Sequence, residues 1–235
     1  MIYDDFTNIK FSIQNLDIFI VRTSIFNALK EISPYLNGSL LDIGCGKMPY
    51  KEYILNNSGV QNYTGIDIEG ALEYDINIRP DFTWDGKIIP FEADIFDCAI
   101  CTEVLEHCPI PEEVFSEVFR ILKPGGYLFL TVPFLWNLHE IPHDEYRYTP
   151  FSLERLLKNC GFTILLLKAN GGWHASFGQM LGLWVRRAPL NSIERRILSI
   201  IFKPIIKLLI HRDKKYNIVF NNGQMITGLY GIAKK

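Results

Sequence analysis

The sequence is short of the features that would place it in several large functional classes. Its charges nearly cancel, to a formal −2 over 235 residues, so nothing in the electrostatics argues for nucleic acid as a partner. It has five cysteines, an odd number without the spacing of a disulfide framework. Two of them, Cys98 and Cys101, lie in IFDCAICTEV, which reads as a strand. Residues three apart on a strand point to opposite faces, so this pair makes a poor metal or redox centre and is expected to be buried thiols in a reducing, cytoplasmic setting. The opening MIYDDFTNIK lacks a basic segment followed by an apolar one, so export is not expected. No Pro-, Ser- or Gly-rich tract divides the chain, and one α/β domain accounts for its length.

What is present is an alternation of short apolar runs and amphipathic stretches. Residues 12–36 carry helical periodicity that ends near Ser33-Pro34 and should flank or lid the core. SLLDIG is a first strand, residues 48–57 a helix, and YTGIDI (63–68) a second strand ending in an acid. Between Ile68 and Trp84 there is little room for a full crossover helix, so a shortened connection should lead to a third strand at 80–84. Next come a strand at 95–103, a helix at 111–123 with Pro at its start and Pro124-Gly125-Gly126 after it, and the strand YLFLTVP. A helix at 150–160, capped by Thr149 or Ser152, the strand FTILLLK and a last strand in MITGLYGIAKK complete the chain. Such alternation predicts a Rossmann-like α/β fold, a mostly parallel seven-stranded sheet covered on both faces. The expected organisation is an N-terminal flank (1–37), a core (38–169), a helical insertion (170–222) and the last strand (223–235).

The strongest single motif is LDIGCGKMPY, a strand running into Gly44-Cys45-Gly46 with Asp42 two places before the first glycine. A dinucleotide site would continue to a third glycine, where this chain has Pro49, which argues against an NAD-type oxidoreductase. Glycines allow close backbone approach to a ligand, and an acid can answer a cationic one. LDIGCG resembles motif I of the class I S-adenosylmethionine-dependent methyltransferases, and further family motifs follow in order over residues 39–133. The resemblance implies S-adenosylmethionine as cofactor, S-adenosylhomocysteine as product, and a site at Asp42, Gly44, Cys45 and Gly46. Asp67 and Ile68 fall where the ribose is held. Asp85 and Gly86 in WDGKIIPF look like the adenine segment, and FDCAICTEVLEH, with Thr102, Glu103 and His107, resembles motif IV. Each element alone has a plainer reading: a tight turn, a helix cap, or solvated groups at a strand end for Glu103, Glu106 and His107. Their ordered occurrence argues against those readings and against a catalytically silent scaffold.

Methyl transfer from a sulfonium needs alignment more than functional groups, but a hydroxyl acceptor gains from a base. PFLWNLHEIPHDEYRYTP, beyond the fifth strand, offers His139 and His143 as catalytic candidates, with Trp136, Asp144, Tyr146 and Arg147 shaping an acceptor pocket. Its plainer reading is a polar loop in which Arg147 pairs with a carboxylate. Pro142 interrupts the helical spacing of His139 and His143, so no metal site is expected there. HDEYRYTP together with GCGKMPY resembles a subgroup of type 11 methyltransferases of surface-polysaccharide and glycan biosynthesis, which implies a sugar hydroxyl as acceptor.

Within the insertion, Trp173 and His174 either line that pocket or fill core. From Arg186 to Lys215 nine Lys/Arg face only Glu194 and Asp213, among many Ile and Leu. This segment is too interrupted by charge to span a bilayer, and Pro204 should bend or divide any helix in it. It reads as a helical pair packed on the sheet or forming a dimer, or as an interfacial helix at 190–215 resting on the inner face of a membrane.

Overall fold

A computed structural model describes residues 6–68 and 79–235. The expected connection after Ile68 falls largely outside the described residues. In chain order the elements are α1 (Phe19–Ile32), β1 (Asn37–Ile43), α2 (Lys51–Asn57), β2 (Gly59–Ile68), β3 (Phe82–Trp84), β4 (Phe96–Thr102), α3 (Pro111–Ile121), β5 (Leu122–Pro133), α4 (Pro150–Asn159), β6 (Thr163–Ala169), α5 (Trp173–Arg187), α6 (Ser192–Asp213) and β7 (Gly228–Lys234). The seven strands form one sheet in the order β3-β2-β1-β4-β5-β7-β6, parallel except for β7. The Rossmann-like sheet and its insertion before the last strand are as expected.

Strand alternation sorts the core into two layers. Leu41, Ala99 and Cys101 face α3 and α4, where Val114, Phe115, Val118, Leu153 and Leu157 meet them. Leu40, Cys98 and Ile100 face α1 and α2, against Ile25, Leu29, Ile32 and Ile54. Cys98 and Cys101 therefore lie on opposite faces, as the period of two requires. All five cysteines are free thiols.

Three expectations need correction. The N-terminal helix starts at Phe19 rather than near residue 12, because Asn15 turns the preceding segment on itself: its Oδ1 accepts from the Ser12 N–H at 2.9 Å and its amide donates to the Lys10 carbonyl at 2.8 Å. Pro204 does not divide the insertion, since α6 runs unbroken from Ser192 to Asp213. The α5–α6 pair does not pack on the sheet. Its buried residues Ala175, Val185 and Ile206 close over Leu16 and Ile20 of the N-terminal segment. A Cβ at Gly182 would stand 2.1 Å from the Leu16 carbonyl oxygen, so that contact needs glycine. The Gln179 amide donates to the Asp17 carbonyl at 2.6 Å, and Arg187 Nε donates to the Asp17 carboxylate at 2.7 Å.

The C-terminal ends of the parallel strands share one edge, and the loops that leave it carry the motifs. α4 is set against this edge by a reciprocal cap, with the Ser152 N–H donating to Thr149 Oγ1 and the Thr149 N–H donating to Ser152 Oγ. β6 runs parallel to β5, so Ala169 and Pro133 end level and α5 leaves from the same edge.

Candidate active site

The glycine turn is locked to β2. Gly44 and Gly46 both have positive φ, +66° and +49°, a conformation that favours glycine. A Cβ at Gly44 would stand 2.4 Å from Val104 Cγ2, so the turn also lies hard against the segment after β4. Between the glycines, the Cys45 N–H donates to the Ile66 carbonyl at 3.0 Å. The Cys45 side chain is buried, and burial raises its thiol pKa well above the ordinary value.

Asp67 organises this end of the site. Its Oδ2 accepts from the Gly46 N–H and its Oδ1 from the Ile68 N–H, both at 2.8 Å. A carboxylate offers about four lone-pair positions, so each oxygen keeps one for a ligand hydroxyl. Beside it the Ile68 side chain is half exposed at the end of β2, an apolar surface suited to a ring. In register with Ile68 is Trp84, followed by Asp85 and Gly86. Asp85 Oδ1 accepts from the Ile88 and Lys87 N–H groups at 2.9 Å, and these bonds, led by that from Ile88, hold its carboxyl below the usual range. A diol partner, an apolar platform and an acid opposite thus stand together, an arrangement that fits a nucleoside.

Asp42 is not open to a ligand in this structure. It is 2% exposed and its carboxylate accepts the Tyr63 hydroxyl. Burial pushes its pKa up to about 7, with the Tyr63 bond pulling the other way. The folded chain therefore keeps a proton that the unfolded chain releases near 3.8. Between those values the unfolded state binds fewer protons, so stability falls as pH rises and levels off above about 7. The slope from this group is at most about 1.4 kcal/mol per pH unit. Denaturant unfolding of the cofactor-free Asp42→Asn variant should lack this component. Parallel wild-type and variant profiles between pH 4 and 7 would show that Asp42 does not carry it.

The polar loop after β5 meets the segment after β4 in a second cluster. Glu103 has φ +55° and its Oε1 accepts the Thr131 hydroxyl at 2.7 Å, while burial pushes its pKa up to about 7. Thr102 closes β4 opposite Thr131. A 3-10 turn over Leu105–His107 buries the Glu106 side chain completely, at 0% exposed, and burial raises its pKa well above the carboxylate range. Solvated groups at a strand end are therefore the wrong reading for Glu106. His107 Nδ1 lies 2.8 Å from the His143 carbonyl, and its ring meets that of His139 edge-on with centroids 4.8 Å apart. His139 in turn lies 3.4 Å from Asp144, which Arg147 grips with bonds of 2.6 and 2.9 Å. This grip, with the His139 N–H donating to the same carboxylate, lowers the Asp144 pKa to about 2, and burial lowers that of His139.

The sequence-level candidates separate accordingly. His107, expected with the cofactor, stands with the loop histidines. His139 enters the cluster, with Trp136 edge-on to it at 6.5 Å, but the exposed His143 contributes its backbone carbonyl and not its ring. Arg147 takes the plainer role of a clip, bonded to Asp144 and to the Tyr146 and Asn137 carbonyls. The Tyr146 hydroxyl donates to the Pro109 carbonyl at 3.0 Å. Trp173 and His174 are not brought into the cluster. Trp173 donates to the Gly223 carbonyl just beyond the insertion at 2.7 Å, and His174 packs on Tyr216 within it. The expected absence of a metal site rested on the His139/His143 spacing, whereas the fold groups His139 with Glu106 and His107, ligand atoms within 4.8 Å of one another. Glu106 and Tyr63 were missed as site residues. The three-residue spacing of Glu103 and Glu106, one turn apart, was the available signal for the first.

Comparison with known proteins identifies the family and the fold. The family described as "Methyltransferase domain" matches residues 20–167. The chain is 26% identical over 205 residues to the ubiquinone biosynthesis O-methyltransferase of Hahella chejuensis, covering 78% of this chain and 79% of that one. It is 26% identical over 158 residues to the sterol 24-C-methyltransferase of Saccharomyces cerevisiae, covering 54% of this chain but only 39% of the yeast protein. An S-adenosylmethionine-dependent methyltransferase from Mesorhizobium loti superposes with a TM-score of 0.58 at 13% identity, over 92% of this chain and all of that one, 100%.

Proposed function

Because the chain belongs to the class I S-adenosylmethionine-dependent methyltransferases, we propose that it methylates a hydroxyl group of an acceptor held at a membrane surface, a lipid-linked glycan above all. The observation that carries this reading is the His139 cluster, set at the same strand edge as the glycine turn and joined to it through Val104.

S-adenosylmethionine, when bound, supplies an electrophilic methyl group on sulfur and leaves as S-adenosylhomocysteine after in-line displacement. Asp67 and the Gly44–Gly46 turn would hold its ribose and amino acid ends, and Ile68 and Asp85 its adenine. His139, held by the Asp144–Arg147 pair, is placed to receive the acceptor, and the half-buried cluster around it limits water. The O-methylating relative from Hahella and the resemblance to glycan-biosynthesis enzymes support a hydroxyl acceptor.

The insertion supports the membrane surface. No helix among the described residues is long and apolar enough to cross a bilayer. Yet α5 exposes Trp173, Phe177, Met180 and Trp184 along one face, and α6 exposes Ile193, Ile197, Ile200, Ile201 and Leu208. Ile197, Ile201, Ile205 and Leu208 are each at least 40% exposed, which supports a surface contact over packing against the domain. Arg187 and Arg195 are engaged within the protein, but Arg196, Lys203 and Lys207 have no ion-pair partner among the described residues. Apolar side chains beside such cations suit an anionic headgroup layer.

The test is co-sedimentation with anionic and neutral vesicles carrying lipid-linked glycans, with methyl-labelled cofactor present. Binding to the anionic vesicles that weakens with salt, and label entering the lipid extract, are expected. Equal, negligible binding to both vesicle types at low salt would remove the membrane surface. Failure of S-adenosylhomocysteine to bind folded protein by calorimetry would remove the methyltransferase reading.

A further inference from the structure

Glu106 is buried without a partner for its carboxyl among the described residues. Its side chain is fully enclosed, and neither carboxyl oxygen has a hydrogen-bond partner among the described residues. Native folds rarely leave such a group unsatisfied, because it has lost water and gained nothing in exchange. On one side of it stands the His107 imidazole, with Nε2 3.8 Å from Glu106 Oε1 and 3.7 Å from Glu140 Oε2. The other nitrogen, Nδ1, faces the His143 carbonyl at 2.8 Å. A carbonyl only accepts, so Nδ1 carries the proton, and in the neutral ring the Nε2 lone pair is turned towards two carboxylates. His139 closes the group edge-on to His107, its buried Nδ1 standing 3.4 Å from the Asp144 carboxylate without a formed hydrogen bond. The Glu106 carboxyl and the His107 Nε2 thus face one another without a hydrogen bond, and His139 offers a third ligand nitrogen beside them.

We propose that Glu106, His107 and His139 bind a divalent first-row transition-metal ion. Their ligand atoms already lie within 4.8 Å of one another, so contraction about an ion needs only side-chain adjustment. Two imidazoles and one carboxylate suit zinc, iron or manganese, whereas magnesium and calcium prefer an all-oxygen set. The His107–His143 carbonyl bond is the outer contact that fixes a ligating histidine's tautomer and ring angle. The surrounding charge favours a cation, since Glu103, Glu140 and Asp144 also gather here and Arg147 is the guanidinium opposing them. The site is built from two segments distant in sequence. Residues 145 and 146 donate their N–H groups to the Glu106 carbonyl, at 2.8 and 3.2 Å, which ties the loop to the 3-10 turn.

Three protein ligands leave coordination positions open. Resting on the methyltransferase reading above, the acceptor oxygen would take one of these; the ion would lower the hydroxyl's pKa, its proton would pass to solvent water, and the oxygen would form its bond to the methyl as the sulfur–methyl bond breaks and S-adenosylhomocysteine leaves.

The test uses the whole chain, dialysed against chelator and then titrated separately with Zn²⁺, Mn²⁺ and Mg²⁺, with bound metal measured by elemental analysis, Mn²⁺ by spin resonance, and the thermal midpoint followed. One Zn²⁺ or Mn²⁺ per chain with a raised midpoint is expected, and weaker binding of Mg²⁺. Glu106→Gln should abolish binding yet melt no lower than chelated wild type, because the amide keeps the size of a carboxyl whose oxygens make no hydrogen bond among the described residues. His107→Gln and His139→Asn should each weaken binding about tenfold or more and serve should Glu106→Gln not fold. Wild type binding no more Zn²⁺ or Mn²⁺ than these variants overturns the site, and equal affinity for Mg²⁺ overturns its transition-metal character. If metal-free protein still binds S-adenosylhomocysteine while no ion binds, the metal site fails alone. If an ion binds and S-adenosylhomocysteine does not, the methyltransferase reading fails and the metal site stands.

Discussion

Alanine at His139 is expected to cut methyl transfer by about 10² to 10⁴, the range for losing a group that handles the acceptor's proton, with S-adenosylhomocysteine affinity nearly unchanged. Alanine at His143 should leave turnover within a few-fold of wild type. The sequence offered the two residues as equals, and their surroundings now separate them. The His139 ring is enclosed by His107, Trp136 and Asp144, whereas His143 is exposed and makes its recorded contact through a backbone carbonyl that alanine retains. The difference does not depend on whether His139 acts as a base or through an ion, since both routes need the imidazole. Single-turnover rates with saturating labelled cofactor measure it. Full turnover in both variants would mean that the loop only aligns the acceptor, and loss in His143→Ala alone would reverse the assignment.

Replacing Asp67 by alanine should weaken S-adenosylhomocysteine binding by roughly 1.5 to 3 kcal/mol, the loss of charge-assisted hydrogen bonds from a ligand. Asp67 also receives the Gly46 and Ile68 N–H groups, so the variant loosens the glycine turn as well as the ribose contact. Asp67→Asn separates these effects: its carbonyl oxygen can still accept from Gly46, but its amide cannot accept from Ile68. Calorimetry should therefore place Asn between wild type and alanine. Unchanged affinity in the alanine variant would refute the role of Asp67, and equal losses in both variants would assign the effect to the negative charge rather than to the turn.

Much of the sheet was legible because its signals are local. Each apolar run is bounded by glycine, proline or an acid, and the order of runs and helices leaves few arrangements open for a parallel sheet. The glycine turn was legible for the same reason, since Gly44 and Gly46 adopt a backbone geometry that other residues resist. The start of α1 was not, because Asn15 competes for the backbone over a few residues and periodicity does not register such competition. Pro204 misled in the opposite sense. A proline removes one helical hydrogen bond, but α6 spans 22 residues and packs on α5, so the remaining bonds and contacts carry the helix through it.

The sequence by itself determined the fold class, the glycine turn beside Asp67, and the polar loop that follows β5, because each rests on neighbours in the chain and on strand polarity. Only the tertiary structure decided that the His139 ring and not the His143 ring enters the cluster, that Asp42 is bonded to Tyr63, that Trp173 and His174 pack away from the cluster, and that Glu106 is buried with no partner among the described residues. These are outcomes of packing between segments some distance apart in the chain, from Asp42 against Tyr63, separated by 21 positions, to His107 against His143, separated by 36. Burial and the lone pairs it leaves unmatched are properties of such encounters, and no periodicity in a single stretch encodes them.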